Sequence, residues 1–244
     1  MSDEPDAGTA AARSAVVAIV PVWNEAEVIG RVLDEVPRDV VDRVIVVDGG
    51  SSDGTPDIAA RHGAEVVEQR RRGYGAACWE GARAAGEGIL VFFDGDYSDP
   101  PAEIGRVIGP ITRGEAELVL GSRDFRDAPG ALPLHARLGN RAVARLIGVL
   151  TGRWLVDLPS FKAIRSECLA LLDMREMTYG WTTEMIVKAA RAELRIEQVP
   201  VAYRARGGGR SKVSGTVRGT VGAGYKLVTT AIRYARWRPD PTSG

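Results

Sequence analysis

Short apolar runs alternate with segments of helical periodicity through the first half of the chain. Such runs, bounded by turn-forming residues, are typical of buried strands in parallel sheets. They predict strands at 15–20, 44–47, 66–67, 89–93 and 118–120. After the first strand, Asn24 is a candidate helix cap, and Ile29, Val32, Leu33 and Val36 fall on one helical face. The alternation predicts an α/β fold with a mainly parallel central sheet flanked by helices.

The second half of the chain is less regular. A Pro- and Gly-containing loop is predicted at 127–134 and a basic, Gly-rich loop at 204–215. The apolar pattern predicts helices at 138–150 and 181–192 and strands at 158–163 and 196–203. We expect the strand at 158–163 to return to the sheet, so that 15–215 forms one domain. The acidic, Ala- and Gly-rich stretch at 1–14 is expected to be a disordered tail.

The C-terminal segment, 216–244, is expected to be a separate basic helix and tail. At 100° per residue, one face of a helix over 216–237 carries Val217, Val221, Tyr225, Val228, Ile232 and Ala235. Basic residues lie beside this stripe: Arg218, Lys226, Arg233 and Arg236. Such a helix either packs on the domain or lies on a membrane surface.

Composition and charge narrow the class of protein. The 244 residues are 45% hydrophobic and 26% charged, as in ordinary globular proteins, and 32 basic residues balance 32 acidic ones. From 201 to the end, nine Arg or Lys accompany one acid, which favours an anionic partner. No nucleic-acid recognition motif occurs, and no apolar run reaches the ~18 residues of a membrane span. We expect a cytoplasmic protein, peripheral at the inner face of the membrane, either monomeric or a homo-oligomer.

Two acidic loops follow predicted strands and carry the strongest chemical signal. Asp94-Gly95-Asp96 comes directly after the strand at 89–93. Two carboxylates with this spacing, at the carboxyl end of a strand, suit Mg²⁺ or Mn²⁺, which share oxygen ligands with substrate phosphates. Asp48 ends its own strand, where its carboxylate either binds a base or ribose or only shapes the turn at Gly49-Gly50.

A series of short motifs runs through the chain. The first are Pro21-Val22-Trp23-Asn24-Glu25, Val47-Asp48-Gly49-Gly50-Ser51-Ser52-Asp53-Gly54-Thr55, Gly73-Tyr74-Gly75 and Asp94-Gly95-Asp96. The later ones are Gly121-Ser122-Arg123, Asp157-Leu158-Pro159-Ser160-Phe161-Lys162, Tyr179-Gly180-Trp181-Thr182-Thr183-Glu184-Met185, Val199-Pro200-Val201, Arg206 and Ser211-Lys212. Together these motifs resemble glycosyltransferase family 2, which has the GT-A fold, and most closely its dolichyl- and polyprenyl-phosphate mannose and glucose synthases. The resemblance covers about 15–215.

The resemblance implies roles for individual residues. A nucleotide pocket would be formed by Pro21, Asn24, Glu25, Asp48, Gly75, Asp94 and Gly95. The metal ligands would be Asp94, Asp96 and Ser98, with Ser98 standing where relatives often have Gln. Donor or acceptor phosphates would be bound by Arg123, Arg137, Arg206, Ser211 and Lys212. The chain departs from the family pattern at Gly49, where many relatives have a second Asp, and at Lys162, which replaces an Arg.

The expected activity is that of an inverting, Mg²⁺- or Mn²⁺-dependent hexosyltransferase. The donor would be a nucleotide sugar of the UDP-glucose or GDP-mannose type, and the acceptor a polyprenyl or dolichyl phosphate. Asp96 and Arg123 would act directly on the reacting groups. A hydroxyl acceptor is the alternative, and it would require a general base, for which Asp157 and Glu184 are the candidates. A non-catalytic module that binds sugar nucleotides is the third interpretation.

Overall fold

A computed structural model describes residues 13–126, 128, 130–208 and 217–240. It contains seven strands: β1 Val16–Val22, β2 Arg43–Asp48, β3 Glu65–Glu68, β4 Ile89–Phe92, β5 Leu118–Asp124, β6 Lys162–Arg165 and β7 Ile196–Ala202. The helices are α1 Ile29–Asp34, α2 Thr55–Arg61, α3 Tyr74–Ala85, α4 Ile104–Thr112, α5 Leu134–Thr151, α6 Ser166–Leu171, α7 Trp181–Arg191 and α8 Val217–Tyr234. A 3₁₀ turn, Pro101–Glu103, precedes α4.

The strands form one sheet in the order β3-β2-β1-β4-β6-β5-β7. Among the described strands, β6 runs antiparallel to both its neighbours, and the other pairings are parallel. Alternate residues of β2 enter different cores: Ile45 and Val47 face one side, Val44 and Val46 the other. The first side is covered by α3, α5, α7 and α8, and the second by α1, α2 and α4. The predicted α/β architecture is confirmed.

Several predicted boundaries differ from the structure. β5 runs to Asp124 rather than ending at 120. Asn24 caps no helix, because its backbone has a φ of +52° and its side chain accepts a hydrogen bond from Ser52 N–H; α1 begins at Ile29. α5 begins at Leu134, directly after Pro133, rather than at 138. Sheet pairing of β6 begins at Lys162, not at 158, because Pro159 has no N–H to donate and Ser160 bonds to Asp99 instead.

The C-terminal helix α8 packs on the domain. Its Ala231 is buried, and Leu227 and Val228 lie against the core on the α5 side of the sheet. Lys226 Nζ pairs with Glu176 Oε2 at 2.8 Å. The predicted apolar stripe is therefore divided, since Val228 is packed while Tyr225 and Ile232 are exposed. Within the part of the chain that is described, no helix has the length and apolar character needed to cross a membrane.

Candidate active site

The acidic loops meet at one edge of the sheet. Parallel pairing places Val22 opposite Asp48 and Ile19 opposite Phe92, so the carboxyl ends of β1, β2 and β4 lie side by side. A cavity of about 620 Å³ opens there, which is the size of an ordinary small-molecule site. The predicted site residues that line it are Pro21, Glu25, Asp94, Gly95, Asp96, Arg123 and Arg206.

The Asp94-Gly95-Asp96 loop forms the floor of this cavity. Asp94 Oδ1 is buried and makes no hydrogen bond within the described residues. Burial, assisted by the charges of Asp99 and Asp96, raises the pKa of Asp94 to about 7. A Cβ atom at Gly95 would lie 2.6 Å from Val22 Cγ1, so only glycine allows the loop to approach β1 this closely. The carboxylates of this loop are close enough to repel one another, so a nearby positive charge would stabilise their ionised forms.

Arg206 supplies positive charge to this loop. Its Nη1 pairs with Asp96 Oδ2, and its Nη2 lies 2.8 Å from Glu25 Oε1. The backbone of the same loop is tied down, because Gly207 N–H donates to the carbonyl of Asp96 at 3.1 Å. Arg206 thus joins the β1 and β4 loops at the cavity. The predicted phosphate ligands Ser211 and Lys212 lie outside the described residues.

Ser98 holds Asp96 in place. Its N–H and Oγ lie 3.0 and 2.5 Å from Asp96 Oδ1, and the serine is almost fully buried. Its hydroxyl is therefore directed at the carboxylate and not into the cavity. The structure therefore shows that Ser98 positions Asp96, and its role as a metal ligand stays a prediction.

Arg123 and Asp157 form a bidentate ion pair at the cavity wall, with N–O distances of 2.5 and 2.7 Å. Burial raises the pKa of Asp157, but the hydrogen bonds and charge of Arg123 outweigh it, and the net pKa lies below the ordinary value. The arginine also lies over Tyr203, with Cζ 5.3 Å from the ring centroid. A carboxylate with a lowered pKa is a weak base, so Asp157 is better suited to orienting Arg123.

Glu184, the other predicted base, has a structural role. Its side chain is fully buried on α7 and pairs with Lys188 Nζ at 2.7 Å. Its oxygens also accept hydrogen bonds from the N–H groups of Arg175 and Glu176. No cavity surface is contributed by Glu184. The carboxylate anchors the segment before α7 and is not placed to remove a proton from a substrate.

One oxygen of Asp48 shapes the turn after β2, and the other is buried. Its Oδ2 accepts hydrogen bonds from the N–H groups of Gly50 and Ser51 at 3.1 and 3.0 Å. Its Oδ1 is buried without a hydrogen bond in the described residues, and its neighbour Gly49 lines the cavity. The turn role of Asp48 is therefore observed, while its ligand role stays a prediction, because Asp48 itself does not line the cavity.

Three other predicted residues do not line the cavity. Asn24 bonds to the Ser52 loop, and the guanidinium carbon of Arg137 lies 4.2 Å from the Phe125 ring centroid. Gly75 serves close packing, because a Cβ atom there would lie 2.5 Å from the carbonyl oxygen of Glu176. The absence of a side chain at Gly75 lets α3 lie close to the backbone of 176–177.

Aromatic and amide side chains that line the cavity were not predicted as site residues: Trp23, Gln69, Tyr74, Tyr179 and Tyr203. The Trp23 side chain is 46% exposed, which is unusual for so large an apolar side chain. In the sequence it directly precedes Asn24 and Glu25. Burial, with the charge of Asp94, raises the pKa of Tyr74 well above its ordinary value. An aromatic residue inside a polar motif was the signal available in the sequence.

The donor set fits a divalent cation that is shared with a substrate. In the described ranges, no group of three or more His, Cys, Asp and Glu side chains is arranged to hold a metal alone. Asp94 nevertheless has an unpaired buried oxygen, and Asp96 faces the same cavity. Mg²⁺ and Mn²⁺ are commonly bound by one or two carboxylates plus substrate phosphates. The two aspartates supply the protein's part of such a site.

Comparison with known proteins agrees with this geometry. Residues 17–170 match the family described as Glycosyl transferase family 2. An uncharacterised glycosyltransferase of Mycobacterium tuberculosis is 35% identical over 211 residues, covering 86% of this chain and 94% of that protein. The undecaprenyl-phosphate mannosyltransferase of Micrococcus luteus is 31% identical over 243 residues, covering 91% and 96%.

A solved structure shares the architecture. It is the glucosyl-3-phosphoglycerate synthase of Mycobacterium tuberculosis in complex with Mn²⁺, UDP-glucose and phosphoglyceric acid. The TM-score is 0.75 at 26% identity, over 93% of this chain and 81% of that one. The likeness confirms the GT-A fold of the chain.

Proposed function

Because the chain belongs to glycosyltransferase family 2, we propose that it moves a hexose, with inversion, from a nucleotide sugar to a polyprenyl-type lipid phosphate. The observation that carries the choice of acceptor is the state of the two candidate bases. Asp157 is held by Arg123 and Glu184 by Lys188, so neither is available for proton removal. A phosphate acceptor is already ionised and needs no base, whereas a hydroxyl does.

The residues of the cavity divide the work between donor and acceptor. The nucleoside binds at the end of β2, beside the cavity-lining Gly49, and the acidic loop receives the diphosphate. Mg²⁺ or Mn²⁺ bound with that diphosphate would neutralise the charge that develops on the leaving group. Arg123 is held rigidly by Asp157, and its direction is set before substrate arrives.

Arg206 must exchange partners when substrate binds. In the free protein its guanidinium neutralises Asp96 and Glu25. A guanidinium pairs with phosphate oxygens as well as with carboxylates. The exchange therefore keeps Arg206 paired throughout, while it exposes Asp96 Oδ2 to the incoming donor. Arginine positioning and charge stabilisation, not proton transfer, are the main contributions of the protein.

A soluble phosphorylated acceptor is the second candidate. The solved structural relative carries phosphoglyceric acid beside UDP-glucose, and the arginines of this cavity suit any phosphate-bearing acceptor. In both candidate functions the acceptor is anionic. The sugar is transferred to the phosphate itself in the first and to a hydroxyl group of a phosphorylated molecule in the second.

A transfer assay separates these activities. Purified protein with Mn²⁺ or Mg²⁺ is given radiolabelled UDP-glucose or GDP-mannose, together with undecaprenyl phosphate, undecaprenol or 3-phosphoglycerate. Label entering the organic phase only with the lipid phosphate supports the proposal and names the donor. Label on 3-phosphoglycerate instead supports the second candidate. Donor binding without any product across these acceptors favours a non-catalytic module.

A further inference from the structure

Helix α5 exposes an apolar stripe on its outer side. Its inner side is buried through Val143, Ala144 and Ile147. Its outer side presents Leu134, Leu138 and Val149, which are 69%, 54% and 73% exposed. Successive outer positions lie four or eleven residues apart, so they share one face of the helix. Side chains of this size are normally covered in a folded protein.

The same face is basic. Arg141 and Arg145 lie between the exposed apolar residues and are themselves exposed. From Leu134 to Val156 the sequence contains no Asp or Glu. An apolar stripe with arginines beside it and no acid is the pattern of helices that lie in the interface of an anionic bilayer.

The stripe continues beyond the helix. Trp154 and Val156 are 65% and 66% exposed. Trp154 is held in position, because its ring packs over Gly148, where a Cβ atom would lie 2.5 Å from Trp154 Cε3. Its carbonyl accepts a hydrogen bond from Gln198 Nε2. A fixed, exposed tryptophan is typical of side chains that lie at the level of lipid headgroups.

The start of α5 adjoins the active-site cavity. Ala131, Leu132 and Pro133 line that cavity, and Leu134 begins the helix directly afterwards. A surface that docks along α5 therefore reaches the rim where an acceptor enters. Helix α8 packs beside α5 and also exposes Tyr225 and Ile232.

We propose that the α5 surface, defined as Leu134, Leu138, Arg141, Arg145, Val149 and Trp154, docks on an anionic lipid bilayer and places the cavity mouth at the headgroups. Charge decides between the bilayer and a second copy of the chain: two copies of this basic face would repel each other, while anionic lipids complement it. The proposal rests on the proposed function, for which it supplies the route of a lipid-phosphate acceptor. It also moves the expected membrane contact from α8 to α5.

Vesicle binding tests the surface without any substrate. Wild type is mixed with phosphatidylcholine vesicles containing about one-third phosphatidylglycerol, and bound protein is measured by flotation. We expect binding to fall about tenfold or more in Leu138→Gln/Val149→Gln and in Arg141→Gln/Arg145→Gln. The matched controls are Val66→Gln, at an exposed apolar site on edge strand β3, and Arg61→Gln/Arg83→Gln. The controls should bind as wild type does.

Trp154 gives an independent reading. Its fluorescence, taken as the difference between wild type and Trp154→Phe, should shift to the blue on addition of the anionic vesicles. Equal vesicle binding by the stripe variants and wild type, or no binding by wild type, overturns the proposal. Self-association of wild type that the Leu138→Gln/Val149→Gln pair abolishes also overturns it, because a second copy would then be the occupant.

Activity separates this proposal from the proposed function. The stripe variants should transfer sugar normally to a short-chain, water-soluble lipid phosphate, and poorly to undecaprenyl phosphate in vesicles. If no lipid phosphate accepts sugar while vesicle binding depends on the stripe, the proposed acceptor is wrong and the docking surface stands.

Discussion

Two arginines that line the cavity, Arg123 and Arg206, are paired in different ways. Arg123 and Asp157 have side chains that are 8% and 12% exposed and share two hydrogen bonds, so they form a closed, buried pair. Arg206 is 27% exposed and divides its guanidinium between Asp96 and Glu25, which belong to different loops. The carboxylates of Glu25 and Asp96 are only 8% and 10% exposed, so Arg206 can leave them only if another cation takes its place. We infer that Arg123 keeps its partner when substrate binds and that Arg206 exchanges its own.

The largest effect on turnover should come from Asp96, the carboxylate that Arg206 shares. Asp96→Asn keeps the shape of the side chain but removes the negative charge that a divalent cation needs. The stabilisation of transition-state charge by such a cation is worth several kcal/mol. We expect kcat to fall by about three orders of magnitude. Radiolabelled transfer under saturating Mn²⁺ measures it, and a circular dichroism spectrum like that of wild type is the control for folding. Full activity would refute the metal assignment.

Substitution of Arg206 should have two effects of opposite sign. Arg206→Ala frees Asp96 Oδ2, so Mn²⁺ should bind more tightly to the protein without donor, as followed by electron paramagnetic resonance. The same change removes a phosphate partner, and donor affinity should fall about tenfold. Arg206→Lys, which retains the charge without the fork, is the matched comparison and should lie between. Weaker Mn²⁺ binding without donor would contradict the exchange role.

Asp157→Asn should affect stability more than chemistry. Breaking a buried pair by neutralising one partner costs about 3–5 kcal/mol, measured by urea unfolding at pH 7. Because the folded pKa of Asp157 is below its ordinary value of about 3.9, this contribution is complete above that value and is lost as pH falls through the folded pKa. The difference between variant and wild type should therefore shrink below about pH 4.

The turnover of Asp157→Asn distinguishes orienting from proton removal. An orienting role predicts a modest loss of kcat with no change in the acidic limb of the pH–rate profile. Disappearance of that limb would restore Asp157 as a base. Asp124→Asn, at a solvent-exposed pair with Arg126, is the control and should leave unfolding unchanged.

The smallest effect on kcat is expected for Glu184→Gln. The Glu184 side chain is fully buried on α7 and pairs with Lys188. The variant should therefore be less stable than wild type, while each folded molecule turns over at the normal rate. Active-site titration against bound donor at low temperature gives kcat per folded molecule. A hundredfold loss would mean that Glu184 reaches the substrate after all.

Local patterns were sufficient for the elements and for the acidic loops. β1, β2 and β4 were predicted to within two residues at each end, because runs such as Val44–Val47 are buried on both faces. The same reasoning placed Asp48 and the Asp94-Gly95-Asp96 triplet at strand ends, and parallel pairing brought them together. The start of α5 was missed although Pro133 marks it, whereas the segments before β6 and α1 are held by side-chain contacts with distant loops.

The sequence alone determined the α/β fold and an acidic loop suited to a metal and a diphosphate, because strand burial and loop position are local properties. The glycosyltransferase activity followed from the resemblance of the motifs to a known family and from the family match. Tertiary structure decided what each charged residue does. Arg206 and Asp96 are 110 positions apart, and Arg123 and Asp157 are 34 apart, so no local pattern reveals that they pair. Glu184 looked like a base in its motif and became a buried anchor only once Lys188 and the 175–176 backbone enclosed it. The sequence states which residues are acidic or basic. The burial and the partners of each residue, which set its pKa and its reactivity, arise from the packing of distant segments.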